Sequence, residues 1–273
     1  MNLLSETTLV LGAHGSEAAP NSNDPVFDLV KQIESTGTFA EVRPAFLMGQ
    51  PNMTNVVDGV TTKRVVVVPL MTSNGYYLNK VIPGKLAQNS NATELDWYIS
   101  SVAGMHPRIA DLMIQHVENR IEEFKLNREQ TTLMLVGHGT RRNRNSGKST
   151  FALFDILKAR FPELRTRVAF LDQDPELGLV AASILEGDTL VLPFLVSRGP
   201  HTTEDLPEAF GLPIGPKIEF PIVHEQNVRG VKRTTVCEVP LALYSGMADI
   251  CIGIASQAVQ EKSHLTLPLE VTA

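Results

Sequence analysis

The sequence has 273 residues, of which 43% are hydrophobic and 20% are charged. This is the composition of a globular protein with a substantial core, and it excludes a disordered chain or a collagen-like repeat. The net charge of −6 at pH 7 argues against sequence-independent binding of nucleic acid, which depends on a net basic surface.

The apolar runs are shorter than the roughly 18 residues that a membrane helix needs, and the first residues lack the basic region of a signal peptide. Two cysteines, Cys237 and Cys251, are too few for a disulfide framework and suit a reducing compartment. We therefore expect a cytoplasmic protein that has no membrane partner.

Short runs of β-branched and aliphatic residues predict eight strands, four in each half of the chain. They cover residues 8–11, 42–47, 65–70, 97–102, 132–136, 167–171, 189–195 and 234–239. Because these runs lack polar alternation, they are typical of parallel strands that are buried on both faces. Apolar residues at helical spacing predict helices within residues 109–124 and 151–161. This alternation favours right-handed βαβ units.

The chain also contains an internal repeat, which decides the domain organisation. The pair His14-Gly15 recurs as His138-Gly139, an offset of 138 − 14 = 124, and residues 45–47 recur at the same offset as residues 169–171. Further on, Ala110 aligns with Ala248, an offset of 138. The second half thus carries about fourteen extra residues, which we place within residues 211–233.

We predict an α/β protein of two tandem, similar Rossmann-like domains with a cleft between them. Each domain is expected to hold a parallel sheet of about four strands flanked by helices. The predicted boundaries are residues 1–126 for the first domain, 127–262 for the second and 263–273 for a tail.

Three polar residues follow consecutive predicted strands of the second half. His138 follows its first strand, Asp172 its second, and His201 lies in the loop after the third. Two imidazoles and a carboxylate at one sheet edge can bind a divalent cation, and histidine can also transfer protons near neutral pH. The alternative for His138 alone is a purely structural role in its glycine-flanked turn.

The first half keeps only part of this set. At the offset of 124, His14 corresponds to His138, but Met48 stands in place of Asp172 and Tyr77 in place of His201. The sequence therefore predicts that the complete site lies in the second half. His14 would then be a structural residue or a contact to the second face of a ligand, and Tyr77 would contact a flat ligand or, equally well, be buried by packing.

A basic cluster, Arg141, Arg142 and Arg144, follows the His138 turn and leads into a predicted helix. Guanidinium groups near a helix N-terminus favour the binding of carboxylates or phosphates. The alternative is an ordinary solvated basic face.

The pattern resembles the class II tetrapyrrole chelatases, the sirohydrochlorin cobaltochelatases and ferrochelatases of the CbiX/SirB type. The resemblance rests on three segments in order: residues 136–140 (VGHGT), 170–172 (FLD) and 193–207, which include the run from Gly199 to Pro207 (GPHTTEDLP). It spans residues 8–260, and long members of the family consist of two fused α/β halves. One departure is Asp172, which stands where the family usually has glutamate.

The resemblance implies that a divalent metal, Co²⁺ or Fe²⁺ and alternatively Ni²⁺, is inserted into sirohydrochlorin or a related tetrapyrrole. His138, His201 and Asp172 would bind the metal and serve as the catalytic residues. Arg141, Arg142, Arg144 and Arg198 would bind the carboxylates of the ring, with His14 and Tyr77 as further substrate contacts. No organic cofactor is expected, and a monomer is favoured over a homodimer because a fused pair builds its own cleft.

Two other functions remain open at this point. A degenerate member of the same fold would carry a tetrapyrrole or a metal without turnover. A phosphate-binding α/β enzyme would instead use the arginine cluster. Loss of ligands in the first half favours the carrier, and their retention in the second half favours the chelatase.

Overall fold

The computed structural model describes residues 3–17, 19–141, 144–228, 230–265 and 267. Its strands are β1 (Thr7–Ala13), β2 (Glu41–Phe46), β3 (Arg64–Pro69), β4 (Asp96–Ile99), β5 (Thr132–Gly137), β6 (Arg165–Phe170), β7 (Thr189–Phe194), β8 (Ile222–Val228) and β9 (Val231–Cys237). Its α-helices are α1 (Asp24–Glu34), α2 (Ile82–Leu86), α3 (Arg108–Phe124), α4 (Lys148–Arg160), α5 (Leu177–Ala182), α6 (Leu206–Ala209) and α7 (Met247–Gln260).

The strands form two sheets, and the predicted α/β class is confirmed. The first sheet is parallel throughout, in the order β2-β1-β3-β4. In the second sheet the order is β6-β5-β7-β9-β8, and β6, β5, β7 and β9 run parallel. The repeat is visible in the strand register, because Gly12 pairs with Ala45 in the first sheet and Val136 with Ala169 in the second. All four positions obey the offset of 124.

The second sheet has five strands where about four were expected. The additional strand, β8, lies within the predicted insertion and pairs antiparallel with β9. The segment IVHEQNV carries four consecutive polar residues, 224–227, and Glu225, Gln226 and Asn227 are exposed, as expected for an antiparallel edge strand that faces water. Gly230, at φ 83°, lies in the turn that joins β8 to β9.

The chain divides into two compact units, but not at the predicted boundaries. The first unit comprises Met1–His106 together with Ser245–Ala273, and the second comprises Pro107–Tyr244. Helix α3, predicted to close the first domain, therefore belongs to the second unit, and α7 belongs to the first. The predicted boundaries follow the sequence repeat, which places each helix with the sheet that precedes it in the chain. In fact α3 packs near β7, whereas α7 packs on β3, β4 and α1.

Both exchanged helices bury a regular apolar face. In α3 the buried residues are Ile109, Met113, Val117 and Ile121, a four-residue spacing that keeps them on one side of the helix. Helix α7 is apolar over more of its circumference, with Ile250, Cys251, Ile254 and Ala255 among its buried residues. In the described ranges, no helix combines the length and apolar character needed to cross a bilayer.

The predicted tail contributes to the first unit instead of trailing from it. Ser263 O accepts a hydrogen bond from the Ile99 N–H, and the Leu265 N–H donates to Trp97 O. The ring of His264 lies 4.6 Å from that of Tyr98, and Leu265 packs against the core. These contacts cover the open edge of β4, which would otherwise present unpaired backbone groups.

A chain that ends at Lys262 is expected to lose about 2 kcal/mol of stability, because it gives up buried leucine surface and two backbone hydrogen bonds. Urea unfolding followed by Trp97 fluorescence measures this, since the single tryptophan is buried in the first unit. The control is His264→Ala, which removes only the ring contact and should lose less than about 1 kcal/mol. Equal midpoints for the truncated and full chains would contradict the role assigned to the tail.

Candidate metal-binding and active site

The first strand of each sheet ends in the same tight turn. His14 Nδ1 lies 3.0 Å from Gly15 O, and His138 Nδ1 lies 2.9 Å from Gly139 O. Both glycines adopt positive φ, 71° for Gly15 and 68° for Gly139, a region in which other residues are strained. The turn therefore fixes each imidazole at the carboxyl edge of its sheet.

Gly139 is required for a second reason, which is space. A Cβ there would lie 2.6 Å from Gln173 Cβ and 3.0 Å from Phe170 Cδ1. We expect Gly139→Ala to lower the free energy of unfolding by about 3 kcal/mol, from backbone strain plus overpacking. The matched control is Gly211→Ala, since Gly211 has a φ of 65° but nothing within 4 Å of its added Cβ. It should lose about 1 kcal/mol, and equal losses in urea titrations would refute the steric argument.

The structure brings the two predicted imidazoles of the second unit together. His201 begins a π-helical turn, His201–Asp205, that follows β7. Its ring centroid lies 4.8 Å from that of His138, and the ring planes are nearly perpendicular, at 88°. Both side chains are about half exposed, 46% for His138 and 47% for His201. An ion arriving from solvent can therefore reach both rings.

Each ring has its Nδ1 beside a hydrogen-bond acceptor. His201 Nδ1 lies 2.6 Å from Asp205 Oδ2, and His138 Nδ1 lies beside Gly139 O. These acceptors assign the proton to Nδ1 in the neutral rings, which leaves the lone pair of Nε2 for a metal. A carboxylate that holds the far nitrogen of a histidine is the usual support for a metal ligand. Asp205 is thus placed to orient the ring of His201.

The third predicted ligand, Asp172, approaches His138 without completing a metal site. Its Oδ2 lies 3.6 Å from His138 Nδ1, the nitrogen that faces away from Nε2. Across the residues that the structure describes, no group of three or more histidine, cysteine or acidic side chains is arranged to hold a metal ion. The predicted triad is therefore present as an imidazole pair with a neighbouring carboxylate. The Asp172 side chain is short, and its carboxylate lies one bond closer to the backbone than a glutamate carboxylate would.

The first unit retains the geometry of this edge but not its ligands. Tyr77 begins the corresponding π-helical turn, Tyr77–Val81, and its ring lies edge-on to that of His14 at 5.4 Å. Met48, at the position of Asp172, is exposed. An imidazole beside a phenol and a thioether offers a divalent ion such as Co²⁺ one good ligand.

The predicted basic cluster is described only in part. Arg141 is exposed beside the His138 turn. Arg142 lies outside the described residues, and of Arg144 only the backbone is described, at the start of the short helix Arg144–Gly147. Arg198 is engaged elsewhere, because its Nη2 donates to Pro216 O at 2.8 Å and to Ile218 O.

A second group of charges at this sheet was not predicted. Glu238, directly after β9, is fully buried and accepts hydrogen bonds from Arg120 Nε at 2.6 Å and Arg120 Nη2 at 3.3 Å. His116 Nδ1 lies 3.3 Å from the same carboxylate, and its ring stacks on Tyr244 at 4.0 Å. The available signal was a glutamate at the end of an apolar strand, together with His116 and Arg120 four residues apart on one face of α3.

The fold is that of the chelatases. A multi-domain protein from Deinococcus radiodurans, described as structurally similar to chelatases and carrying two additional domains, matches with a TM-score of 0.69 and 18% identity over 93% of this chain. This chain spans 55% of that protein's length. The sirohydrochlorin chelatase SirB from Bacillus subtilis subspecies spizizenii, solved with cobalt, matches with a TM-score of 0.69 and 11% identity, covering 95% of this chain and 99% of SirB.

The sequence assigns the family within this fold. The model of the CbiX family matches residues 8–120 and again residues 132–254. A probable sirohydrochlorin cobaltochelatase from Halobacterium salinarum is 32% identical over 222 residues, which are 73% of this chain and 75% of the relative. The chain belongs to the CbiX family, in a form that carries the family unit twice. The predicted duplication and the predicted resemblance are both confirmed.

Proposed function

We propose that this protein inserts a divalent metal ion, Co²⁺ or Fe²⁺, into sirohydrochlorin. The observation that carries the proposal is the pair of half-exposed imidazoles, His138 and His201, whose rings meet at 4.8 Å with each Nδ1 beside an acceptor. The placement of this chain in the CbiX family and its likeness to a probable sirohydrochlorin cobaltochelatase support this choice of substrate.

The chemistry requires the metal to exchange protein ligands for ring nitrogens while two pyrrole N–H protons leave. Two neutral imidazoles hold a divalent ion reversibly, since they are borderline ligands and carry no charge that must be separated from the ion. Having only two strong protein ligands favours transfer, because the remaining positions of the ion are open to water and then to the ring.

Asp172 and Asp205 are the nearest proton acceptors to these rings. Their carboxylates lie 3.6 Å from His138 Nδ1 and 2.6 Å from His201 Nδ1. Each can stabilise the imidazolium that forms when its histidine takes a pyrrole proton after releasing the metal. In this proposal the same two histidines deliver the ion and then accept the protons.

The arginines that come soon after His138 in the sequence are suited to the acidic rim of the substrate. Arg141, Arg142 and Arg144 follow the His138 turn, and guanidinium groups bind carboxylates through paired hydrogen bonds. In the first unit, His14 and Tyr77 present an aromatic edge that would contact the flat face of the ring. These five residues are proposed as substrate contacts.

The test is anaerobic incubation of the purified protein with sirohydrochlorin and Co²⁺, Fe²⁺ or Ni²⁺, following the absorption change of metallation. Insertion faster than the uncatalysed reaction with at least one metal supports the chelatase. The double variant His138→Ala/His201→Ala supplies the control. Comparing the three metals at equal free concentration identifies the preferred one.

A carrier without turnover is the second candidate, and the replacement of Asp172 and His201 by Met48 and Tyr77 in the first unit favours it. A carrier would bind sirohydrochlorin or Co²⁺ with measurable affinity while leaving the insertion rate at the spontaneous value. Binding without acceleration by any of the three metals would replace the chelatase with the carrier.

A further inference from the structure

The second unit contains a segment that the first unit lacks, between α6 and β8. In the first unit α2 ends at Leu86 and β4 begins at Asp96, whereas the corresponding interval in the second unit runs from Ala209 to Val231. The additional chain includes residues 211–221, here called the brace segment. It follows the π-helical turn that carries His201.

The brace segment is packed onto the core and does not hang free as a lid would. Leu212 belongs to the buried cluster of the second unit, and Ile218 and Phe220 pack against that cluster. The Leu212 N–H donates to Pro207 O at 2.9 Å. A segment with three apolar anchors on a close-packed core keeps a fixed position.

Two contacts tie the brace segment to the loop that holds His201. Arg198 Nη2 donates to Pro216 O at 2.8 Å and to Ile218 O, and its guanidinium carbon lies 5.8 Å from the centre of the Phe220 ring. On the other side of His201, the Gly215 N–H donates to Thr203 O at 2.9 Å. The loop is therefore fastened both before and after the metal-binding histidine.

Arg198 and the brace segment occur together. At the offset of 124 the position of Arg198 is held in the first unit by Asn74, where the long segment is missing and Tyr77 replaces His201. Arg198 was expected to bind a carboxylate of the substrate. Its Nη2 is instead committed to two backbone carbonyls, and the planar guanidinium fixes the directions of the N–H bonds that reach them.

We propose that Arg198 is a positioning residue that, through the brace segment, holds His201 where its ring meets that of His138. The inference rests on the proposed function for its catalytic consequence, but its structural content is independent of it. Two imidazoles bind one ion only when both are held within a few tenths of an ångström of the required geometry. The brace segment restricts the motion of a loop whose histidine, His201, is half exposed.

The test compares Arg198→Ala and Arg198→Lys with Arg165→Ala, a control at an exposed arginine that pairs with Glu186. The first measurement is amide hydrogen exchange of residues 199–205. The second is the affinity for Co²⁺ without tetrapyrrole. Exchange should be about 10-fold faster and Co²⁺ binding about 10-fold or more weaker in Arg198→Ala. Millimolar guanidinium chloride should restore part of the affinity, and the control should match the wild type.

Unchanged exchange at residues 199–205 would overturn the proposal. It would equally be overturned if Arg198→Ala raised KM for sirohydrochlorin while leaving Co²⁺ affinity intact, since that pattern identifies a substrate clamp. If Arg198→Ala does not fold, the same measurements on Arg198→Lys decide, because lysine keeps the charge but lacks the planar guanidinium that fixes the N–H directions and faces the Phe220 ring. If the wild type inserts no metal and Arg198→Ala still binds Co²⁺ more weakly than the wild type, the chelatase proposal is refuted and the positioning role of Arg198 stands.

Discussion

Replacing His201 with alanine is expected to lower the rate of metal insertion by a factor of about 100 or more. The substitution removes one of two imidazoles that meet at 4.8 Å, and with it both a metal ligand and a proton acceptor, each of which contributes on this scale. His138→Ala should have a similar effect, and the double variant should lose little more than either single variant because the residues act on one ion. Insertion rates at saturating metal measure this directly.

The matched control is His14→Ala, at the corresponding turn of the first unit. His14 has the same hydrogen bond to the following glycine, 3.0 Å against 2.9 Å, but its neighbour is Tyr77. It should retain at least a third of the wild-type rate, with any change confined to KM for the tetrapyrrole. A larger loss from His14→Ala than from His201→Ala would place the active site in the first unit.

Glu238→Ala is expected to destabilise the second unit by about 3 kcal/mol, because Nε and Nη2 of Arg120 lose their acceptor and the guanidinium keeps only the half-exposed Glu123 as a partner. Glu238 is fully buried and receives two hydrogen bonds from Arg120. The measurement is urea unfolding followed by circular dichroism, with Trp97 fluorescence reporting the first unit separately. The control is Glu186→Ala, which breaks an exposed pair and should change stability by less than about 1 kcal/mol.

The first unit shows how this position is filled without charge. At the offset of 138, Ser100 stands at the position of Glu238, Ile254 at that of His116 and Ala258 at that of Arg120, and all three are buried. The double variant Arg120→Ala/Glu238→Ser should therefore recover part of the loss seen in Glu238→Ala, since it removes both the buried carboxylate and its guanidinium and leaves only the half-exposed Glu123 without its arginine. If the double variant loses as much stability as Arg120→Ala and Glu238→Ser lose together, the two residues are not coupled.

The same carboxylate makes stability depend on pH. Burial alone would raise the pKa of Glu238, but the hydrogen bonds from His116 and Arg120 outweigh it and hold the pKa below its ordinary value of 4.5. A lowered folded-state pKa stabilises the protein fully above about pH 4.5, and this contribution is lost as the pH falls toward the folded-state value. The urea midpoint should therefore drop more steeply below pH 4.5 in the wild type than in Glu238→Gln.

The parallel strands of both sheets could be predicted because buried strands appear in the sequence as short unbroken apolar runs. Unbroken runs such as Val65–Val68 and Leu190–Leu192, all fully buried, cannot be accommodated on a surface. The exchange of α3 and α7 could not be predicted, since an apolar helical face fits either sheet equally well. What distinguishes them is the pairing of Glu238 with Arg120, which joins residues 118 positions apart.

The candidate site was partly predictable for a related reason. His138 and His201 follow neighbouring parallel strands, whose carboxyl ends lie at one edge, so their approach follows from strand order. The reach of Asp172 depends on side-chain length and turn geometry, and it falls beside Nδ1 of His138 rather than on a shared ion position. The contacts of Arg198 depend on the path of the brace segment, which has no counterpart in the repeat from which it could be inferred.

The exchange of helices has a consequence for the order in which the protein is completed on the ribosome. The second unit is one continuous stretch, Pro107–Tyr244, whereas the first needs residues from both ends of the chain. Strands β1 to β4 emerge first, yet α7, which covers β3 and β4, is synthesised last. Nascent chains usually finish their N-terminal domain first. Here the first unit is completed after the second. The apolar surface of β3 and β4 stays exposed until α7 has been synthesised.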